Sequence, residues 1–124
     1  MHWHDKDSVG VRTVDAYHDG IGKIRTKEFF KGKATLGVRF VVWELLPGAA
    51  EGDHTHEDDD NYEETYYFLS GKGVIRIEGE EFPVGPGDAY LVPAGVDHGL
   101  RNTGAGPLRL VLLFGRPPVA PPRR

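Results

Sequence analysis

Short apolar runs, separated by turns that contain glycine or proline, recur along most of the 124-residue chain. Runs of this length that are rich in β-branched and aromatic residues and end at turn residues are typical of β-strands. We predict strands at residues 25–30 (a short edge strand), 35–46, 64–69, 73–79, 89–93, 98–102 and 108–114. No helical period is evident apart from one turn near residues 5–9, so the pattern predicts an all-β sandwich or closed barrel.

The length of the chain allows one hydrophobic core and is too short for two. We therefore predict a single domain at residues 21–115. It lies between an extended or loosely held N-terminal arm (1–20) and an extended or disordered tail (116–124). The tail reads RPPVAPPRR, and proline cannot pair in the interior of a sheet. A sharp bend is expected at residues 81–88, EFPVGPGD.

The composition argues against several classes of function. A net charge of −4 suggests no basic face for phosphates, so nucleic acid is not an expected partner. No apolar run approaches the length that crosses a bilayer, and the first residues lack the apolar stretch of a signal peptide. No membrane partner is therefore expected. The chain has no cysteine and hence no disulfide framework, so we expect a cytoplasmic protein.

Three histidines and a glutamate have a pattern that suits a metal site. His54 and His56 are two residues apart, and on a β-strand such residues project from the same face. Glu64 begins a following strand and offers a carboxylate oxygen, while His98 directly follows the turn PAGVDH. Three imidazoles and one carboxylate make a site for a divalent first-row metal, and six-coordination would leave two positions for water or substrate.

Simpler interpretations exist for other polar residues and for the histidine pair itself. A His-x-His pair alone is weak evidence for metal, because these residues are common in exposed turns. The acidic run at Glu57–Tyr62 lacks the spacing of a calcium loop, so we interpret it as a solvated loop. His2 and His4 form a second pair at a frayed terminus, and His18 is expected at the surface.

Ten residues in two ordered sets resemble the two sequence motifs of the cupin family. The first motif (G, five residues, HxH, a short spacer, E, six residues, G) is matched by Gly48, His54, His56, Glu64 and Gly71. The second motif (G, five residues, PxG, two residues, H, three residues, N) is matched by Gly87, Pro93, Gly95, His98 and Asn102. The resemblance covers about residues 40–114, and so many specified positions in order make it highly specific.

One departure from the family pattern lies between the second histidine and the glutamate. Seven residues separate His56 from Glu64, where the family has three or four. Asp60 stands at the family spacing, but only Glu64 keeps the six-residue step to Gly71 and begins an apolar strand. We therefore retain Glu64 as the ligand. The extra residues lengthen a loop at the rim of the barrel. We interpret this longer loop as a neutral surface insertion in preference to a gate over the pocket.

The resemblance implies a small jelly-roll-like β-barrel that holds one divalent transition metal (Fe, Mn, Ni or Zn) inside. Similar cupins include dioxygenases, decarboxylases, isomerases and lyases or cyclases of small-molecule metabolism. The implied function is therefore metal-dependent action on a small oxygen-rich molecule, with Glu64 as a permanent ligand or a catalytic base. The alternative is a non-catalytic protein that binds a carboxylate or sugar through the metal, and a purely structural metal is a third reading. Similar small barrels pair, so a homodimer is expected.

The alternation of side chains along the strands predicts which residues lie beside the metal ligands. If Glu64 faces inward, Tyr66 and Phe68 do so too, and if His98 faces inward, so does Leu100. We predict Tyr66, Phe68 and Leu100 as substrate-pocket residues, and an apolar, aromatic pocket is ordinary for a ligand site.

Two charged residues on the strand predicted at residues 35–46 have opposite parity, so at most one of them can point into the barrel. These are Arg39 and Glu44. A buried charge there would need a partner. The preferred interpretation is that each lies near a strand end and reaches solvent.

Overall fold

The computed structural model describes residues 1–54 and 61–118, with His54 as backbone only. Its strands are β1 (Arg12–Asp15), β2 (Lys23–Phe29), β3 (Arg39–Leu45), β4 (Ala50–His54), β5 (Glu63–Ser70), β6 (Gly73–Ile77), β7 (Glu80–Val84), β8 (Ala89–Val92), β9 (His98–Asn102) and β10 (Leu108–Gly115). One turn of 3-10 helix, Tyr17–Asp19, follows β1. Among the described residues, no helix has the length and apolar character needed to cross a membrane.

Two antiparallel sheets form the barrel. One has six strands in the order β1-β2-β3-β10-β5-β8, and the other has four in the order β4-β9-β6-β7. Their inner faces enclose a core that includes Ile24, Val41, Trp43, Leu45, Tyr66, Phe68, Ile75, Leu100, Leu108, Leu110 and Leu112. The predicted all-β, jelly-roll-like barrel is confirmed.

The alternation predicted for β5 is present in the burial of its side chains. Glu64, Tyr66 and Phe68 are buried, whereas Tyr67 and Leu69 are exposed on the outer face. A strand whose two faces differ in this way has a strongly specified register, because a one-residue slip would exchange them. This register aims Glu64 into the interior.

The N-terminal segment is more ordered than its composition suggests. β1 (Arg12–Asp15) pairs with β2 (Lys23–Phe29) and forms the edge of the six-stranded sheet. Within the arm expected to be extended or loosely held, residues 12–15 are thus extended and paired. Residues 25–30 do not form an edge strand, because β2 lies between β1 and β3. Polar positions dominate β1 because it covers an edge and only Val14 is partly buried. The turn predicted near residues 5–9 is present, with the Val9 amide donating to the Lys6 carbonyl at 3.2 Å.

Two further strands escaped prediction because their residues are poor strand formers. β4 reads AEGDH, and β7 contains Pro83 where a bend was expected. β7 tolerates the proline because it is the outermost strand of the four-stranded sheet, where a missing amide donor is least costly. Residues 119–124 of the predicted tail lie outside the described residues.

Candidate metal centre and cavity

Two of the four predicted metal ligands, Glu64 and His98, lie side by side in the barrel interior. Glu64 is the second residue of β5 in the six-stranded sheet, and His98 is the first residue of β9 in the four-stranded sheet. Their side chains are 5% and 2% exposed, and His98 Nε2 lies 2.8 Å from Glu64 Oε1. The facing sheets thus bring together two groups that are distant in the sequence.

The hydrogen bond of the second ring nitrogen, Nδ1, determines which nitrogen of His98 carries the hydrogen and therefore what Nε2 presents to Glu64. His98 Nδ1 lies 2.8 Å from the carbonyl oxygen of Val96, and because a carbonyl only accepts, Nδ1 is assigned the hydrogen. A neutral ring then turns the lone pair of Nε2 toward Glu64, whose ionised carboxylate also only accepts. Two acceptors at 2.8 Å need a proton or a cation between them. An imidazole backed by a carbonyl, beside a carboxylate oxygen, is a donor set that fits a divalent first-row metal.

The electrostatics of this pair also favour positive charge. Burial by itself lowers the pKa of His98, but its hydrogen bonds to Glu64 and to the Val96 carbonyl outweigh burial, so the pKa is raised above the usual 6.5. The interior at this point therefore stabilises a cation, whether a proton on the ring or a metal ion beside it.

The structure describes only part of the predicted ligand set. The backbone of His54 occupies the register position opposite His98, where β4 pairs with β9. Positions opposite each other in an antiparallel pair lie on the same face of the sheet. His56 lies outside the described residues, as does Asp60. No cluster of three or more histidine, cysteine, aspartate or glutamate ligands occurs within the described part of the chain, so the complete centre stays a prediction.

The three residues predicted to line the pocket lie in the core beneath the site. Tyr66 and Phe68 are fully buried and Leu100 is 2% exposed. The Tyr66 hydroxyl lies 3.4 Å from Glu64 Oε2, a long hydrogen bond that reaches the centre. Burial, followed by the charges of nearby glutamates, raises the pKa of Tyr66 well above 10, so the phenol stays neutral and can donate. None of the three is among the described residues that line the adjoining cavity, so their place in a substrate pocket stays a prediction.

The adjoining cavity has a volume of about 360 Å³. Glu64 lies in its wall, so the candidate metal centre opens onto this space. Its lining includes four aromatic residues, Tyr17, Trp43, Tyr62 and Phe114. Charged side chains such as Arg12, Glu28 and Lys31 share the wall, so this cavity is aromatic in part and is not the apolar pocket expected from the sequence.

An acid–base pair that sequence reasoning missed lies on the cavity wall. His18, expected at the surface, lines the cavity, and its Nε2 lies 3.6 Å from Glu51 Oε2. The side chain of Glu51 is 1% exposed. Burial, and then the charges of Glu64 and Asp53, raise the pKa of Glu51 well above 4.5. The wall beside Glu64 therefore holds a carboxyl group that resists ionisation.

A β-bulge explains why alternation could not place Glu51. On β4, Glu51 pairs with Leu100 and His54 pairs with His98, so three steps on β4 match two steps on β9. Without the extra residue, positions three apart would face opposite sides of the sheet. The bulge places both register positions on the inner face, and bulges that re-aim side chains in this way are over-represented next to functional sites.

Arg39 reaches the same cavity, whereas Glu44 lies on the outer face. Arg39 forms a bidentate pair with Glu28, at 2.6 and 3.1 Å, and its guanidinium lies 4.7 Å from the centroid of the Phe114 ring. Arg39 is at the end of β3 and its side chain is 47% exposed, as expected, but it also has an anionic partner and forms part of the cavity wall. Glu44 lies near Arg25 and Arg109 on the opposite face.

Comparison with known proteins identifies the class. A family model described as "Cupin domain" matches residues 41–114, which is more than half of the chain. The match includes every motif residue from Gly48 to Asn102. The chain therefore belongs to the cupin family.

Two known proteins are similar to this chain over nearly two thirds of its length. The chain is 37% identical over 79 residues to the oxalate-binding protein of Thermotoga maritima, covering 64% of this chain and 60% of that protein. It is 36% identical over 78 residues to tetracenomycin polyketide synthase protein TcmJ of Streptomyces glaucescens, covering 63% of this chain and 49% of that protein. The matched stretch thus spans between 49% and 60% of the length of these relatives.

A solved structure shows the fold over almost the whole chain. A predicted oxalate decarboxylase from Thermotoga maritima superposes with a TM-score of 0.82 at 24% identity, covering 93% of this chain and 100% of that one. The likeness therefore covers more of the chain than the matched family domain does.

Proposed function

We propose that this protein is a divalent-metal-dependent enzyme that acts on a small oxygen-rich acid or enol, at a centre formed by His54, His56, Glu64 and His98. The observation that carries the proposal is the buried pair of acceptors, His98 Nε2 and Glu64 Oε1, at 2.8 Å beside a cavity of about 360 Å³. A relative named for oxalate binding, 37% identical over the matched stretch, supports an acid as ligand.

The chain's own residues have distinct roles in this proposal. The imidazoles and the Glu64 carboxylate would hold one iron, manganese, nickel or zinc ion, which supplies Lewis acidity for a carbonyl, carboxylate or enolate oxygen. The Val96 carbonyl orients His98 so that Nε2 faces the centre. Glu64 is positioned to take a proton at Oε2, where the Tyr66 hydroxyl at 3.4 Å would then meet a neutral acid. The packed core around Tyr66 keeps water away from this exchange.

The test loads metal-free protein with each of the four ions and measures bound metal and substrate consumption. Oxo-acids, diketones, catechols and enols are the substrate classes. His98→Ala should remove most bound metal, because it deletes an imidazole and leaves Glu64 without its partner. The matched control is the His2→Ala/His4→Ala double variant, since this exposed pair has the same spacing and lies outside the barrel. Unchanged metal content in His98→Ala would refute the ligand set, and no turnover with any ion would refute the enzyme.

A second candidate is a non-catalytic protein that uses the same centre to hold a small carboxylate. The name of the Thermotoga relative, oxalate-binding protein, favours this candidate. Mass spectrometry of a ligand incubated with metal-loaded protein separates the two. A molecule recovered unchanged supports binding alone, and a converted molecule excludes it.

We also propose that the chain forms a homodimer through the outer face of the six-stranded sheet. The register aligns Phe40, Leu113, Thr65 and Leu91 across four neighbouring strands. Phe40, Leu113 and Leu91 are 38%, 39% and 47% exposed, which makes an apolar row at the surface. Contiguous exposed apolar surface of this kind often marks a protein contact, and a second copy is the simplest partner.

A further inference from the structure

We propose that the ligand of this cavity is an aromatic acid, whose acidic oxygens face Glu64 and whose ring lies between two pairs of aromatic side chains, Tyr17 with Trp43 and Tyr62 with Phe114. This inference rests on the proposed function and names the substrate class of the same site. All four rings line the cavity that Glu64 also lines. A ligand with one anionic end, held by the ion that Glu64 and the imidazoles would bind, and one aromatic end therefore matches both parts of the cavity.

The size of the cavity argues for a ligand larger than a simple diacid. Its volume of about 360 Å³ is within the range of about 300–1,000 Å³ at which pockets enclose ligands of drug-like size. A diacid of six non-hydrogen atoms, such as oxalate, would leave most of that space to water. The four aromatic rings in the wall offer apolar surface that water leaves uncovered and that a ring on the ligand would bury.

Within each pair, the two aromatic residues already contact each other with the geometry that rings prefer. Tyr17 and Trp43 are T-shaped, with centroids 5.6 Å apart and an angle of 88° between planes. Tyr62 and Phe114 are also T-shaped, at 5.1 Å and 69°. A third ring can join either pair edge-to-face or offset, and each such contact adds to simple burial.

The strained backbone around Tyr17 is a further observation that supports a ligand site here, independent of the aromatic lining. Ala16, His18 and Asp19 have φ values of 51°, 51° and 59°, in the left-handed region that non-glycine residues rarely adopt. Strain of this kind persists only where the surroundings impose it, and it clusters at ligand sites. We call residues 16–20 the strap. The strap holds Tyr17 against the cavity.

Close packing against β4 keeps the strap in place. A Cβ atom at Gly52 would collide with the carbonyl oxygen of His18, and one at Gly20 would collide with the carbonyl oxygen of Ala50. Only glycine therefore allows the two segments to approach this closely. Burial, followed by the charges of Glu51 and Glu64, raises the pKa of Tyr17 to about 12, so its ring carries a neutral phenol.

The experiment compares phenylpyruvate with pyruvate, which share a 2-oxo acid head and differ by one phenyl ring. Affinities are measured by calorimetry on metal-loaded protein, after metal content has been determined separately. We expect phenylpyruvate to bind at least about tenfold more tightly, since ring burial and ring contacts act together. Tyr17→Leu should reduce phenylpyruvate affinity at least about fivefold and change pyruvate affinity less than twofold. Tyr67→Leu is the matched control, because Tyr67 lies on the outer face of β5 and is 47% exposed.

A spectroscopic measurement reports the position of the ring directly. The chain has two tryptophans, and Trp3→Phe leaves Trp43 as the only indole. Phenylpyruvate should change the emission of Trp43 in this background, and pyruvate at equal saturation should change it less. We call the four aromatic residues Tyr17, Trp43, Tyr62 and Phe114 the aromatic clamp. Phe114→Leu gives a second test of this clamp if Tyr17→Leu fails to fold.

The possible outcomes separate this inference from the proposed function. Equal affinity for both acids, with metal retained, would overturn the aromatic clamp and leave the metal-dependent acid site standing. Loss of phenylpyruvate affinity in Tyr67→Leu as large as that in Tyr17→Leu would also overturn it. Protein that retains no metal would overturn both the centre and the clamp built upon it.

Discussion

Asn102 allows a quantitative test of what stabilises the barrel at the far end of β9. It ends β9, the strand that begins with His98, and it is 6% exposed. Its Nδ2 group donates to the carbonyl oxygens of Leu45 at 3.0 Å and Gly106 at 2.8 Å, and its Oδ1 accepts from the Gly104 amide at 2.9 Å. One side chain thus joins β3, β9 and the turn before β10.

Replacing Asn102 with alanine removes all three hydrogen bonds at once. Each contributes about 1 kcal/mol net, so the free energy of unfolding should fall by about 3 kcal/mol. For a chain of this length, that corresponds to a drop in Tm of roughly 10 °C. Asn102→Asp should be no better than alanine, because it keeps the acceptor for Gly104 but turns a second oxygen toward the carbonyls of Leu45 and Gly106.

Urea unfolding, followed by tryptophan fluorescence with a chelator present, measures the loss without any contribution from bound metal. Thr103→Ala is the control, since Thr103 is the next residue and is exposed, and it should change stability by no more than about 0.5 kcal/mol. A loss below about 1 kcal/mol in Asn102→Ala would refute the reasoning, because it would mean that the three bonds are replaced at no cost.

Three further predictions concern the centre, the surface and the assembly. Glu64→Gln should lower bound metal less than His98→Ala does, because an amide oxygen can still coordinate, yet it should abolish turnover; equal metal loss in both variants would contradict this. Hydrogen bonds from Arg101 and Arg76 lower the pKa of Glu81 to about 2. The ionised Glu81 therefore stabilises the folded protein fully above pH 4.5, and this contribution fades as the pH falls toward 2. Glu81→Gln should therefore reduce stability in urea titrations at pH 7, with a difference that shrinks across that acidic range. Leu113→Glu should convert a dimer into a monomer in sedimentation experiments, and a monomeric wild-type chain at micromolar concentration would refute the proposed dimer.

Much of the fold could be predicted because apolar alternation and turn residues are local signals. β5 and β10 have a buried face that repeats every second residue, and the predicted segments agree with the observed strands to within a residue or two. The same alternation correctly aimed Glu64, Tyr66 and Phe68 inward. For the candidate centre, the motif spacing identified Glu64 and His98, which the two sheets bring together.

Other parts of the site depend on contacts that leave no periodic trace in the sequence. Glu51 faces inward because of a bulge, and a bulge breaks the alternation from which its direction would be inferred. Tyr17 and His18 reach the cavity through strained backbone, and propensity gives no reason to expect a left-handed conformation at Ala16. Tyr66, Phe68 and Leu100 have the right parity, but parity cannot distinguish a core position from a cavity wall.

The strap has a consequence for how ligand preference can diverge among chains with the same motifs. The matched family domain begins at residue 41, so Tyr17 and His18 belong to a segment that precedes it. One wall of the cavity is thus encoded apart from the residues that would bind the ion. Exchanging the first forty residues between two such proteins should change the choice of acid without altering the choice of metal, provided that the recipient has a glycine at position 52 to accept the strap.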